Sequence, residues 1–307
     1  MAGSDLTILE ERANLFSWLR ECERYCLFQN SESDRAFKLL FQVWDKVAEP
    51  LFEFGYWNDF FQCGKIALQS AQAVNDVAAQ AQVLNELGWV CMEWEYFDTA
   101  QEYFNESLQK YQLLKDDRGQ CKMLRYLGVL SFKQRHFNLA LGYYRQALDI
   151  VTAQPATVFT DHKWAFQKPE LHNLFGETYL KLQDFSKSYR ELHLSLEKYH
   201  VLVKQHQQYR YYLTDPLLNL GRWHFLQGDY EQAGQYYQDC LQLSKDISRP
   251  DTEAMALLRL AEVAEAEGKE EEALKLASEA EDIAGTEIRA VRDRASRFRE
   301  RLLGKKR

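Results

Sequence analysis

Two stretches of this 307-residue chain match at a shift of 40 residues. NELGWVCMEWEYFDTAQEYFNESL, from Asn85, and RYLGVLSFKQRHFNLALGYYRQAL, from Arg125, share Leu-Gly at 87–88 and 127–128, Phe at 97 and 137, and Ala at 100 and 140. Phe104 answers Tyr144, and Leu108 answers Leu148. The frame continues through Gly176, Phe185, Ser188, Leu192 and Ser195, then Gly221, Tyr230, Ala233, Tyr237 and Cys240, then Ala261, Ala273, Ala277 and Ala280. A weaker copy runs upstream through Ala48, Trp57, Phe60, Gly64 and Ala67. Six units therefore start near Phe41, Ala81, Cys121, Pro169, Thr214 and Ala254. A sequence repeating on this period builds a series of alike supersecondary units, each leaving an apolar face that only its neighbour covers.

The spacing inside a unit selects helices. Ala100, Phe104 and Ser107 fall on one helical face. The small residue after Leu (Gly88, Gly128, Gly221, Ala261), or after Phe175 in one unit (Gly176), lets the first helix approach the second. Another small residue twelve positions on (Ala100, Ala140, Ser188, Ala233, Ala273) is expected to face it. With 5 prolines and 14 glycines the chain has few turn formers, and its 14% aromatic residues suit the gaps between stacked helices.

This order of Leu-Gly, small, aromatic and small residues resembles the tetratricopeptide repeat, over roughly residues 41–281. The common repeat is about 34 residues long. Units starting 40 to 48 residues apart resemble the long-helix variety found in regulatory scaffolds and in sensor regions of signalling ATPases. The nucleotide-binding GxxxxGK[ST] of such ATPases is absent. The resemblance implies an all-α fold, an α-solenoid of six helix-turn-helix units. Residues 41–284 would be the repeat domain, 1–40 an N-terminal capping helix and lead-in, and 285–307 a basic amphipathic capping helix and tail.

Details outside the repeat carry their own expectations. Residues 5–29 read as an amphipathic capping helix, and 30–34 as a polar break with N-cap chemistry. Pro50 should kink or divide the first helix of unit one. The insertion 151–168, with Pro155, reads as a loop, and 199–213 as a helix extension. Thr214-Asp215-Pro216 reads as a helix start. Ile288, Val291, Ala295, Phe298 and Leu302 form an apolar stripe at steps of three and four on a basic helix, and Gly304 to Arg307 should fray.

Family geometry implies that first helices line a concave surface with positions 2, 5, 9, 12 and 13 of each unit. The informative residues there are Asn85, Trp89 and Met92; Lys122, Arg125, Phe132 and Lys133; Asn173 and Lys181; and Arg222 and Phe225. The cations suit carboxylates, the asparagines an extended peptide backbone, and the aromatic and thioether groups apolar anchors. The expected partner is a protein or peptide segment of acidic and apolar character. Alternatively, the cations pair with Glu170, Glu177 or Asp215 and the aromatics fill the superhelix. Where chaperone-tail domains of the family carry Lys and Asn to clamp a carboxylate, Asp45 and Glu49 stand and repel one.

Charge and missing motifs narrow the function class. The net charge of −8 disfavours nucleic acid as a partner. Gly285 to Arg307 nonetheless carries nine Arg/Lys against three Asp/Glu. Its helix reads as a cap meeting the acidic run Glu270–Asp282, or as a contact for an acidic partner or nucleic acid. No apolar run is long enough to span a membrane and no secretory signal opens the chain. Six scattered cysteines without CxxC pairs read as reduced thiols in a cytoplasmic protein. Cys22 and Cys26 lie four apart on one helical face and read as buried thiols, and His172 as a hydrogen-bonded core histidine. No HExxH, GxSxG, GxGxxG or zinc spacing occurs, so neither a catalytic site nor a metal or other cofactor is expected. The sequence thus reads as a non-enzymatic scaffold or adaptor, or as a peptide-responsive regulator that switches an effector. It leaves the oligomeric state open.

Overall fold

The computed structural model describes residues 12–28, 32–53, 56–285 and 288–304. Regular structure among them is entirely helical, and the fold is an all-α helical-repeat solenoid. The long helices are α1 (Arg12–Leu27), α2 (Ser33–Glu53), α3 (Trp57–Ala73), α4 (Val77–Glu93), α5 (Phe97–Leu113), α6 (Asp117–Lys133), α7 (Phe137–Ala153), α8 (Gln167–Lys181), α9 (Phe185–Gln205), α10 (Thr214–Leu226), α11 (Tyr230–Asp246), α12 (Pro250–Ala266), α13 (Glu270–Ala284) and α14 (Arg289–Gly304). The chain divides into two compact units, Met1–Ile150 and Val151–Arg307. In the first, α1 packs on α2 and α3, and hairpins α2–α3, α4–α5 and α6–α7 follow. In the second, α8–α9, α10–α11 and α12–α13 stack, and α14 covers α13 and touches α12.

The turns explain the period. Most helix pairs are joined by three residues, the second of them at positive φ: Asn75, Glu95, Lys115 and Arg135, then Gln183, Gly228, Ser248 and Gly268. In the first unit these positions recur every 20 residues, half of the sequence repeat. The third turn residue donates its N–H to the carbonyl five residues back, as in Asp76 to Ala71 at 2.9 Å and Asp116 to Tyr111 at 3.0 Å. That bond closes one helix. Where the third residue is aspartate, its carboxylate opens the next: Asp76, Asp116, Asp184 and Asp229 each accept backbone N–H bonds from the first turn.

First and second helices differ in burial. In α5 the buried residues are Ala100, Phe104 and Ser107, one stripe, whereas α4 is buried on nearly every side. First helices are sandwiched between neighbours, and they touch one another: α4 with α6, α8 with α10, α10 with α12, α12 with α14. The repeated glycines serve an aromatic or leucine sixteen residues later. A Cβ at Gly88 would lie 2.7 Å from the Phe104 ring, at Gly128 2.2 Å from Tyr144, at Gly176 2.5 Å from Leu192, and at Gly221 2.5 Å from Tyr237. The residue twelve positions on makes a direct contact too in one unit, where Ser188 Oγ donates to the Gly176 carbonyl at 2.8 Å. A second recurrent bond ties the far ends of four hairpins. Ser107 donates to the Ala81 carbonyl at 2.7 Å, Ser195 to Pro169 at 2.8 Å, and the Cys240 thiol to Thr214 at 3.6 Å. In α6–α7 the direction reverses, with Cys121 donating to the Ala147 carbonyl at 3.8 Å.

Some expectations need correction. Pro50 does not divide the first helix: α2 runs through it to Glu53 and begins at Ser33, so it crosses the boundary drawn at residue 40. The insertion after α7 is a 3-10 turn (Ala156–Thr160) and a single helical turn (His162–Ala165) rather than open loop. The second insertion extends α9 only to Gln205 and then forms a 3-10 segment, Gln207–Leu213. α10 starts at Thr214, with Pro216 in its first turn. Residues 5–11, 29–31 and 305–307, on which parts of the end assignments fall, lie outside the described residues.

Candidate partner-binding site

With first helices so enclosed, few of their side chains reach solvent. On α4, between Ala81 and Glu93, these are Gln82, Glu86, Trp89 and Glu93, at steps of four, three and four. The same stripe on α12 is Met255, Arg259, Glu262, Glu265 and Ala266. The inner stripe thus uses the sixth position of each unit and largely buries the fifth. Met92 is 2% exposed and belongs to the core with Phe104 and Leu127, so it is not a groove anchor. Asn85 and Asn173 are each 4% exposed. The amide oxygen of Asn173 accepts from Asn219 Nδ2 at 3.0 Å, whereas Asn85 Oδ1 has no hydrogen-bond partner.

In the first unit, Asn85, Trp89 and Lys122 come together in a cavity of about 490 Å³. Asp45, Glu49, Glu86 and Tyr126 line it with them. Glu86 accepts from Trp44 Nε1 at 2.9 Å and from Gln82 at 3.2 Å. Desolvation nevertheless raises its pKa, against these bonds and the charge of Lys122. Lys122 lies 5.6 Å from the centre of the Tyr126 ring, and Arg125 lies over the same ring at 5.1 Å. Lys133 is not in the cavity: it pairs with Glu93 at 3.1 Å. Phe132 packs edge-on against Phe137 at the hairpin end, 5.5 Å between ring centres.

In the second unit, Lys181 and Arg222 occupy successive first helices and make no hydrogen bond or ion pair among the described residues. Arg259 on α12 and Arg294 on α14 continue the group. Arg259 bonds Glu262 at 2.6 and 2.9 Å, and Arg294 lies 3.6 Å from the same carboxylate. Desolvation, then the neighbouring cations, lowers the pKa of Lys181, Arg222 and Arg294 alike. Glu177 sits against Lys181 and Arg222 without a bonded partner among the described residues, and desolvation raises its pKa. Four cations thus face two carboxylates, Glu177 and Glu262.

Neighbouring acids are otherwise engaged. Tyr199 donates to Glu170 at 2.9 Å, Arg249 lies 3.6 Å from Asp215, and Arg301 holds Glu265 at 2.6 and 2.7 Å. Desolvation, aided by Glu170 and Glu177 and opposed by Arg249, pushes the Asp215 carboxyl up to about 7. Phe225 packs against Tyr230, 5.4 Å between ring centres, and lines another recess with Phe298 and Arg301.

Sequence reasoning missed Glu86, Tyr126, Arg259 and Arg294. The signal lay in α4, where Gln82, Glu86, Trp89 and Glu93 interrupt an otherwise apolar helix at steps of four, three and four. The basic α14 buries Val291, Ala295, Phe298 and Leu302, while Arg299 and Ser296 bond Glu281. Arg294 and Arg301 reach Glu262 and Glu265 of α12, whereas Arg292 and Arg297 bond to Asp293 of their own helix. His172 is buried and bonded to Glu191 at 2.7 Å. All six cysteines are buried and unbridged, Cys22 and Cys26 among them.

Tetratricopeptide-repeat models match residues 81–109 and 212–285, one stretch in each unit. Among curated protein sequences none matches the chain. Solved structures resemble it in fold. The apo form of the quorum sensor NprR from B. thuringiensis aligns with 95% of this chain and 80% of its own, at 16% identity and a TM-score of 0.58. A Rap protein complexed with competence and sporulation factor aligns over 89% and 77%, at 16% identity and 0.56. The STAND protein PH0952 of Pyrococcus horikoshii, with a tetratricopeptide repeat sensor, aligns over 94% of this chain and 42% of its own, at 16% identity and 0.59. Repeat sequence, paired helices and glycine-seated rings agree with the two repeat-model matches: the chain carries tetratricopeptide repeats.

Proposed function

We propose that this chain is a non-enzymatic cytoplasmic scaffold that captures an acidic, apolar-flanked segment of a partner protein on its inner first helices. The observation that carries the reading is the pair Lys181 and Arg222, partly desolvated, mutually repelling and, among the described residues, bonded to no carboxylate although Glu177 lies near both. A fold gains nothing from gathering such charges, whereas a carboxylate laid across Arg222, Arg259 and Arg294 would neutralise them. Phe225, in the recess that Glu262 also lines, offers an apolar contact. Six buried thiols accord with a reducing compartment.

Affinity capture from native lysate with the wild-type chain and with Lys181→Glu/Arg222→Glu tests the reading. Loss of the captured chain in the variant, at unchanged helicity, is the expected result; undiminished capture removes the inner face from consideration. A second reading, a peptide-responsive regulator, draws support from the fold likeness to NprR, a quorum sensor, and to a Rap protein complexed with competence and sporulation factor. It predicts a ligand-dependent change in small-angle scattering, and a profile indifferent to the captured segment would count against it.

A further inference from the structure

The cavity of the first unit has the opposite character to the cation cluster of the second. Its lining carries three carboxylates, Asp45, Glu49 and Glu86, against one ammonium, Lys122. Lys122 is already engaged by the Tyr126 ring and the charge of Glu86. Asp45 accepts only the neutral Gln82 amide, at 3.0 Å, and Glu49 has no hydrogen bond or ion pair among the described residues. Asn85 Oδ1, on a side chain 4% exposed, lacks a donor in a cavity lined by its own residue. What is unsatisfied here is therefore acceptors, and a bound carboxylate would add one more.

We infer that this cavity is the recognition pocket for an arginine side chain of the partner segment. The inference rests on the peptide-capture reading and deepens it. A guanidinium is flat, permanently charged and rich in N–H donors, and it stacks on aromatic faces. Those properties answer the features of the cavity: Glu49 and Asp45 at the rim, the orphaned Asn85 oxygen within, and the Trp89 indole in the wall. Lysine would satisfy fewer acceptors and could not lie flat on the indole. The segment that the first unit takes then carries an arginine and is not uniformly acidic.

Selection of peptides from a random-sequence library on the full chain, followed by affinities for synthetic copies, tests this. Asp45 and Glu49 are exposed, so Asp45→Asn/Glu49→Gln leaves the core untouched. The selected peptides should share an arginine. Replacing it by citrulline, of equal shape and no charge, should weaken binding to the wild type at least about tenfold and to the double variant far less. Citrulline peptides that bind the wild type as tightly as arginine ones would overturn the arginine pocket and leave peptide capture standing. Selection yielding no peptide at all would overturn both.

Discussion

At the residue scale, the repeated glycine is the most constrained position in the chain, because its missing side chain is the seat of a ring. Gly128→Ala places a methyl 2.2 Å from Tyr144, a side chain 1% exposed with nowhere to go. Overpacking of this kind costs about 1–3 kcal/mol, to be read as a lower denaturant midpoint at unchanged slope. Gly142 is the control. It lies in α7 with nothing within 4 Å of a Cβ, so Gly142→Ala should be neutral or stabilise by up to about 1 kcal/mol. The identity of Gly88, Gly128, Gly176 and Gly221 as close-packing positions was legible from spacing alone. Their partner was not. Counting along the sequence suggested the small residue twelve positions on, but helix crossing sets the ring at the next turn, Phe104 or Tyr144, over the glycine.

At the element scale, the hairpins were legible and their accessible stripe was only partly so. The repeat period follows from 17-residue helices and three-residue turns, and turn chemistry is visible in Asp76, Asp116, Asp184 and Asp229. Asp116 accepts from the N–H groups of both Arg118 and Gly119 at 3.0 Å. Asp116→Ala should therefore cost about 1 kcal/mol in chemical denaturation, while the α6 core stays intact. Burial of Asn85 and Met92 was not legible, since it depends on how far each first helix is rotated between two neighbours. Pro50 misled for a related reason. It lies so near the C-terminal end of α2 that the helix continues past it for three residues.

At the scale of the whole molecule, charge is sorted unit by unit. The first unit's cavity is lined mainly by carboxylates, and the second unit gathers Lys181, Arg222, Arg259 and Arg294 around Glu177 and Glu262. Sequence spacing put cations on the inner face without revealing which were neutralised: Lys133 is paired with Glu93, and Arg222 is not. If the unpaired cations serve binding, they burden the unbound fold. Lys181→Met and Arg222→Met should each raise the thermal midpoint of the unbound chain, by a stabilisation of about 1 kcal/mol, while weakening capture of the partner. A residue serving stability alone would move both in the same direction.

The central claim is that partners bind on first helices. Hydrogen-exchange mass spectrometry of the chain with and without its captured partner tests this most directly. Added protection should concentrate in α2, α4 and α6 of the first unit and in α8, α10 and α12 of the second, with α5, α9, α11 and α13 unchanged. Protection confined to those second helices, or to the tyrosine-rich segment Gln207–Leu213, would contradict the account.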